Sequence, residues 1–136
     1  MSADKVFFDT SVLLYLLSAD AAKADKVETL LEEAGVISVQ VLNEFASVAI
    51  RKLKMSIAEV RELLETIRAV CKPEAVTVAD HERALALIDR YGFSLYDALI
   101  VASALRADCQ TLYCEDLQHR QLIERQLRVV NPFADA

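Results

Sequence analysis

The chain has 136 residues, of which 54% are hydrophobic, with only 2 Gly and 2 Pro. That composition is too apolar for a disordered chain and too poor in turn residues for an all-β fold. The formal net charge is −6, the wrong sign for a protein that holds nucleic acid through a bulk positive field.

The length is that of one domain, expected to span residues 1–136. The start of the chain lacks the charge and apolar pattern of a secretory leader, and no apolar run approaches the ~18 residues of a membrane span. A cytoplasmic protein without membrane contact is therefore expected. The 3 cysteines, Cys71, Cys109 and Cys114, form no C-x-x-C pair, and only 2 histidines could join them. Buried free thiols are expected rather than structural zinc.

In chain order, Val6 to Phe8 is a compact apolar run that reads as a buried strand, and Asp9-Thr10-Ser11 opens a short helix reaching Leu17. Ala22 to Ala34 has helical spacing, with Gly35 in the place of a C-cap. Val36 to Ser38 is a second strand. Val41 to Leu53 and Ser56 to Cys71 carry apolar faces at helical period. Ala75 to Val78 reads as a strand, and Ala79 to Tyr91 as a helix stopped at Gly92. Leu95 to Leu105 is apolar nearly all round, which predicts a deeply buried helix. Thr111 to Tyr113 is a strand, Gln118 to Arg125 a short helix, and Val129-Val130 a last strand. Short apolar strands alternating with helices predict an α/β fold. Its parallel sheet of four to five strands would be covered by helices on both faces.

Ligands in such sheets sit beyond the carboxyl ends of the strands. Asp9 follows the first strand directly, and Asp116 lies just past the Tyr113 strand. Asp97 stands in the first turn of the buried helix, and Glu44 borders the apolar stripe of its own helix, between Val41 and Val48. Each has a structural explanation: helix capping for Asp9, Asp97 and Asp116, and solvent contact for Glu44. Brought together, the four make a hard oxygen site of the kind that suits Mg²⁺ or Mn²⁺ and leaves positions open for phosphate oxygens.

Four segments carry a resemblance. Val6 to Tyr15 (VFFDTSVLLY), Ser38 to Ala46 (SVQVLNEFA), Phe93 to Ala104 (FSLYDALIVASA) and Leu112 to Gln118 (LYCEDLQ) follow one another in the order and spacing of the acidic motifs of PIN domains. The likeness covers nearly the whole chain and points to VapC-type toxins. It implies a metal-dependent endoribonuclease in which Asp9, Glu44, Asp97 and Asp116 hold Mg²⁺ or Mn²⁺. Thr10 and Ser11 would assist by hydrogen bonding, and water would be the nucleophile. It also implies an RNA substrate, a small antitoxin as partner, and a homodimer. Many relatives carry a further aspartate two residues after the fourth acid; here that position is Gln118, followed by His119. Glu115 is the candidate to compensate, and His119 is a lesser candidate for general acid.

The basic run Arg51, Lys52, Lys54 ends the Glu44 helix. It suits the helix dipole, or contact with RNA phosphates. Arg106, Arg120 and Arg125 are weaker candidates for the same task. Two other functions fit less well. A phosphoacceptor receiver domain requires a late lysine, and none follows Lys72. A non-catalytic PIN-like module that binds protein or RNA would tolerate Gln118, but gives no reason for four retained acids.

Overall fold

A computed structural model describes residues 4–134. Among the described residues six short strands form one sheet in the order β3-β2-β1-β4-β6-β5. They are β1 (Val6–Phe8), β2 (Val36–Ser38), β3 (Lys72–Glu74), β4 (Thr111–Tyr113), β5 (Leu122–Ile123) and β6 (Leu127–Val130). All pairings are parallel except β5 with β6. The helices are α1 (Thr10–Leu13), α2 (Ala21–Leu31), α3 (Val39–Arg51), α4 (Ile57–Val70), α5 (Val78–Tyr91) and α6 (Leu95–Arg106), with a 3-10 turn at Leu14–Leu17. Among the described residues no helix is long and apolar enough to cross a membrane.

The strand order decides where a site can form. The chain moves outward from β1 to β2 to β3, then returns across the sheet to β4 on the other side of β1. With right-handed crossovers, this reversal places α5 and α6 on the face opposite α2, α3 and α4. It also opens a crevice at the carboxyl ends of β1 and β4, the switch point at which such sheets bind ligands. β1 is buried at all three positions, as expected of a strand covered on both faces. α6 buries Ala98 and every residue from Ile100 to Leu105, in agreement with its uniform apolarity.

Three sequence expectations are corrected. The strand expected at Ala75 to Val78 lies earlier, at Lys72–Glu74. Thr77 is instead the N-cap of α5, in a reciprocal capping box with Asp80, and this takes the β-branched run out of the sheet. Pro73 is tolerated because β3 is an edge strand. The helix expected from Gln118 to Arg125 is absent, since Leu122–Ile123 pair antiparallel with β6. Ile123 and Leu127 are fully buried there. Glu124 and Arg125 make the turn at φ 51° and 57°, so tertiary pairing overrides helical propensity.

Gly35, finally, caps no helix. α2 ends at Leu31, and Ala34 takes the left-handed conformation at φ 53°. Gly35 is required for close approach to β1. A Cβ there would lie 2.6 Å from Phe8 Cε2 and 2.8 Å from the Val6 carbonyl oxygen. Gly35→Ala is expected to destabilise the fold by about 2 kcal/mol through forced displacement of β1, read as a lower urea midpoint.

The three thiols are buried, with burial pushing Cys71 and Cys109 up to about 11. Among the described residues Ser103 Oγ is the one buried side-chain polar atom with no hydrogen-bond partner. Ser103→Ala relieves that desolvation and improves helix propensity. It should stabilise the protein by about 1 kcal/mol in thermal unfolding.

Candidate metal centre at the switch point

β1 and β4 run in register, with Phe8 opposite Tyr113, so the residues that follow them emerge side by side. The Asp9 N–H donates to the Tyr113 carbonyl at 3.0 Å. Asp9 is 5% exposed, and its Oδ2 accepts from Ser11 Oγ at 2.6 Å, Ser11 N at 3.4 Å and Cys114 Sγ at 3.4 Å. Asp9 therefore does cap α1. Capping occupies one oxygen, and among the described residues no hydrogen bond reaches Oδ1.

Asp9, Thr10, Ser11, Glu44, Asp97, Glu115 and Asp116 all line one cleft of about 520 Å³, with Leu14, Tyr15, Gln40 and Tyr96 among its walls. Four different elements contribute the acids. Asp9 comes from the end of β1 and Asp116 from the loop after β4. Glu44 is on the second turn of α3, and Asp97 on the first turn of α6. Glu44 accepts from Thr10 Oγ1 at 2.8 Å. Ser94 Oγ accepts from the Asp97 N–H at 3.2 Å, but the return bond that would complete a capping box is not made, so the Asp97 carboxylate is not held by the backbone of its own helix.

The electrostatics agree with the geometry. Burial pushes Glu44 above its ordinary value; the Thr10 hydroxyl opposes this, and the charges of Asp9 and Asp97 add to it. Asp97 is pushed up by burial and by Asp9, with Ser94 opposing. Asp116, at the exposed rim, is pushed up by partial burial, Asp9, Asp97 and Glu115. Among the described residues none of the four is in an ion pair. This is uncompensated negative charge.

Carboxylate oxygens of Asp9 and Asp116 and the Cys114 sulfur lie within 4.8 Å of one another. The sulfur is a poor partner for a hard cation, and burial and the Asp9 charge push its pKa far up. Cys114 thus serves as a donor that orients Asp9. The oxygen donors fit Mg²⁺ or Mn²⁺, which bind through one or two carboxylates and keep several waters.

Glu115 is held by Tyr15 at the wall of the same cleft. Both of its oxygens accept from the Tyr15 hydroxyl, at 2.9 and 2.8 Å, and its N–H donates to Ser11 Oγ at 3.1 Å. Tyr15 packs on Phe133 with ring centroids 4.5 Å apart. The sequence placed Tyr15 in a motif but gave no sign of this pairing, which joins residues 100 positions apart. Gln40 and Tyr96 were also missed. The available signal was their position, one turn before Glu44 and one residue before Asp97. Gln118 is exposed and does not line the cleft. His119 Nδ1 accepts from the Asn131 N–H at 3.0 Å, a structural role outside the cleft.

Of the basic run, Arg51 lines a neighbouring groove, while Lys52 and Lys54 are exposed and line neither cavity. Arg106 is paired with Asp80.

The PIN domain family model matches residues 6–124. The chain belongs to the PIN domain family. No curated protein matches the sequence, but solved structures share the fold. VapC20 of Mycobacterium tuberculosis, a sarcin–ricin-loop-cleaving toxin, is 24% identical at a TM-score of 0.67, covering 82% of this chain and 90% of its own. A toxin–antitoxin complex from Klebsiella pneumoniae is 21% identical at a TM-score of 0.71, covering 95% and 98%. FitAcB from Neisseria gonorrhoeae is 16% identical at a TM-score of 0.65, covering 94% and 98%. These likenesses establish the architecture of this PIN domain.

Proposed function

We propose that this PIN domain is a Mg²⁺- or Mn²⁺-dependent endoribonuclease and the toxin of a type II toxin–antitoxin pair. The observation that carries the reading is the gathering of Asp9, Glu44, Asp97 and Asp116, unpaired, around one cleft at the switch point of a PIN sheet. Asp9 and Asp116, with Glu44 and Asp97 lining the same cleft, would hold the divalent cation, which would supply activation of water and offset charge on the phosphodiester. The chain's own hydroxyls act as donors: Ser11 Oγ holds Asp9, and Thr10 Oγ1 holds Glu44. The Cys114 thiol is 1% exposed and kept protonated. With the Thr10 and Ser11 hydroxyls of the cleft also bound to carboxylates, the arrangement supports direct attack by water without a covalent enzyme intermediate.

The toxin assignment rests on the fold shared with VapC20 and with the Klebsiella pneumoniae toxin–antitoxin complex. An acidic cleft takes a basic segment of a partner protein, as a small antitoxin would supply. A homodimer and a cytoplasmic location belong to the same reading.

The test is incubation of the partner-free protein with end-labelled mixed-sequence RNA in Mg²⁺, Mn²⁺ or EDTA. Internal cleavage that needs the cation is expected. A well-folded protein that leaves RNA intact and binds no divalent cation would sink the proposal.

A further inference from the structure

Gln40, the adjacent pair Asn43 and Glu44, Ser47 and Arg51 follow one another along α3 at steps of three or four residues and so share one side of the helix. The opposite side buries Val41, Phe45 and Ala49. This polar stripe forms one wall of a second open groove of about 830 Å³, completed by Val39, Ala75, Val76 and Tyr96. Gln40, Glu44 and Tyr96 line this groove and the acidic cleft alike. The two are therefore continuous, and the stripe leads away from the acids toward a cation.

The chemistry changes along the way. Among the described residues the lining beyond Glu44 holds no further acid; it offers an amide, a hydroxyl and the Arg51 guanidinium. Among the described residues Arg51 is in no ion pair. Tyr96 is 62% exposed, and its backbone carbonyl accepts from Gln40 Nε2 at 3.2 Å, which pins the first turn of α6 against α3. An exposed ring on a fixed backbone, followed by hydrogen-bonding side chains and an unpaired arginine, is the make-up of a single-strand nucleic acid track. Arg51 lies seven residues from Glu44, about 10 Å along the helix axis. A strand stacked at about 3.4 Å per nucleotide spans that in about three nucleotides.

We propose that this groove carries the RNA strand on one side of the scissile bond, with Tyr96 stacking a base and Arg51 holding a backbone phosphate about three nucleotides from the acids. The inference rests on the nuclease reading and explains how a chain of net charge −6 retains an anionic polymer: positive charge is placed locally, at the end of the track.

The test is equilibrium binding of a labelled single-stranded RNA oligonucleotide to the full chain in Ca²⁺, by fluorescence anisotropy over a salt series. Sedimentation velocity and an RNA cleavage assay on each protein accompany it. Arg51→Gln should weaken binding by about ten-fold and lower the slope of log affinity against log salt by about 0.7. Tyr96→Ala should weaken it by a similar factor without changing the slope, and Tyr96→Phe should restore it. Arg68→Gln, on exposed α4 surface outside both cavities, removes the same charge and should do neither. Wild type that cuts RNA while both groove variants bind it normally would overturn the track and leave the nuclease standing. Variants that convert a dimer to a monomer with unchanged RNA affinity would reassign the face to a second copy of the chain. Wild type that neither binds nor cuts RNA would end both readings.

Discussion

Asp9→Asn and Asp97→Asn should each reduce RNA cleavage by about 10³-fold or more, the several kcal/mol of transition-state stabilisation that a well-held cation provides. Both should leave the protein folded. At Asp9 the three donors converge on Oδ2, so an asparagine can turn its oxygen toward them and keep the α1 cap. Its amide protons then face the position left open to a cation. At Asp97 no return capping bond exists to be lost.

Stability should move in the opposite direction to activity. Because the folded pKa of Asp97 is raised, the folded state binds its proton more tightly than the unfolded chain does. In metal-free buffer, stability is therefore expected to fall as pH climbs from about 4 through the folded value, and then to level off. Asp97→Asn removes that cost and should raise the metal-free Tm by a few degrees at neutral pH. Added Mg²⁺ or Mn²⁺ should raise the wild-type Tm and do little for the variant. A Tm that drops sharply for both asparagine variants, or cleavage within ten-fold of wild type, would return these residues to a purely capping role.

Much of this site was legible because it depends on local rules. An acid directly after a buried strand must emerge at the sheet edge, as Asp9 does, and Asp116, three residues past β4, lies in the loop at the same edge. Glu44 and Asp97 could be placed on helices by periodicity, though not aimed at each other, since that depends on how α3 and α6 cross the sheet. Reading failed where tertiary pairing competed with local preference. Leu122 and Ile123 sit in a helix-favouring stretch, yet they pair with β6 because Ile123 and Leu127 complete the buried edge. Ala75 to Val78 has strand propensity, but Thr77 and Asp80 satisfy each other's backbone and start a helix. Gly35 looked like a helix stop because sequence shows a missing side chain and not the neighbour that requires it. The Tyr15–Glu115 pair and the Arg51 groove have no local signature: both arise from contacts between distant segments.

The remaining large effect lies outside the cleft, at Asp80. Its carboxylate is 2% exposed and takes a two-point contact from Arg106, with Nε 2.9 Å from Oδ1 and the terminal nitrogen 3.2 Å from Oδ2. The same guanidinium donates to the Ala75 carbonyl at 2.6 Å. Burial alone would raise the Asp80 pKa, but Arg106 and the Thr77 hydrogen bonds outweigh it and hold the carboxyl below its ordinary value.

Asp80 therefore contributes stability that is fully present above its unfolded pKa of about 4 and is lost as pH falls through the lower folded value. Arg106→Ala leaves the buried charge with only the Thr77 cap and should cost about 3 kcal/mol, roughly 10 °C in Tm at neutral pH. The acid limb of the stability profile should flatten, because burial then opposes ionisation with less to offset it. Arg106→Lys cannot reproduce the fork and should recover only part of the loss. A Tm within 2 °C of wild type for Arg106→Ala would rank the pair with ordinary surface bridges, worth about 1 kcal/mol or less. The position of the pair gives it a second consequence. By fixing the Ala75 carbonyl it holds the connection from β3 to α5, which supplies Ala75 and Val76 to the groove wall. Arg106→Ala should consequently weaken RNA binding modestly as well. The Asp80 carboxylate need not touch RNA for this to occur, because loosening of that wall is sufficient.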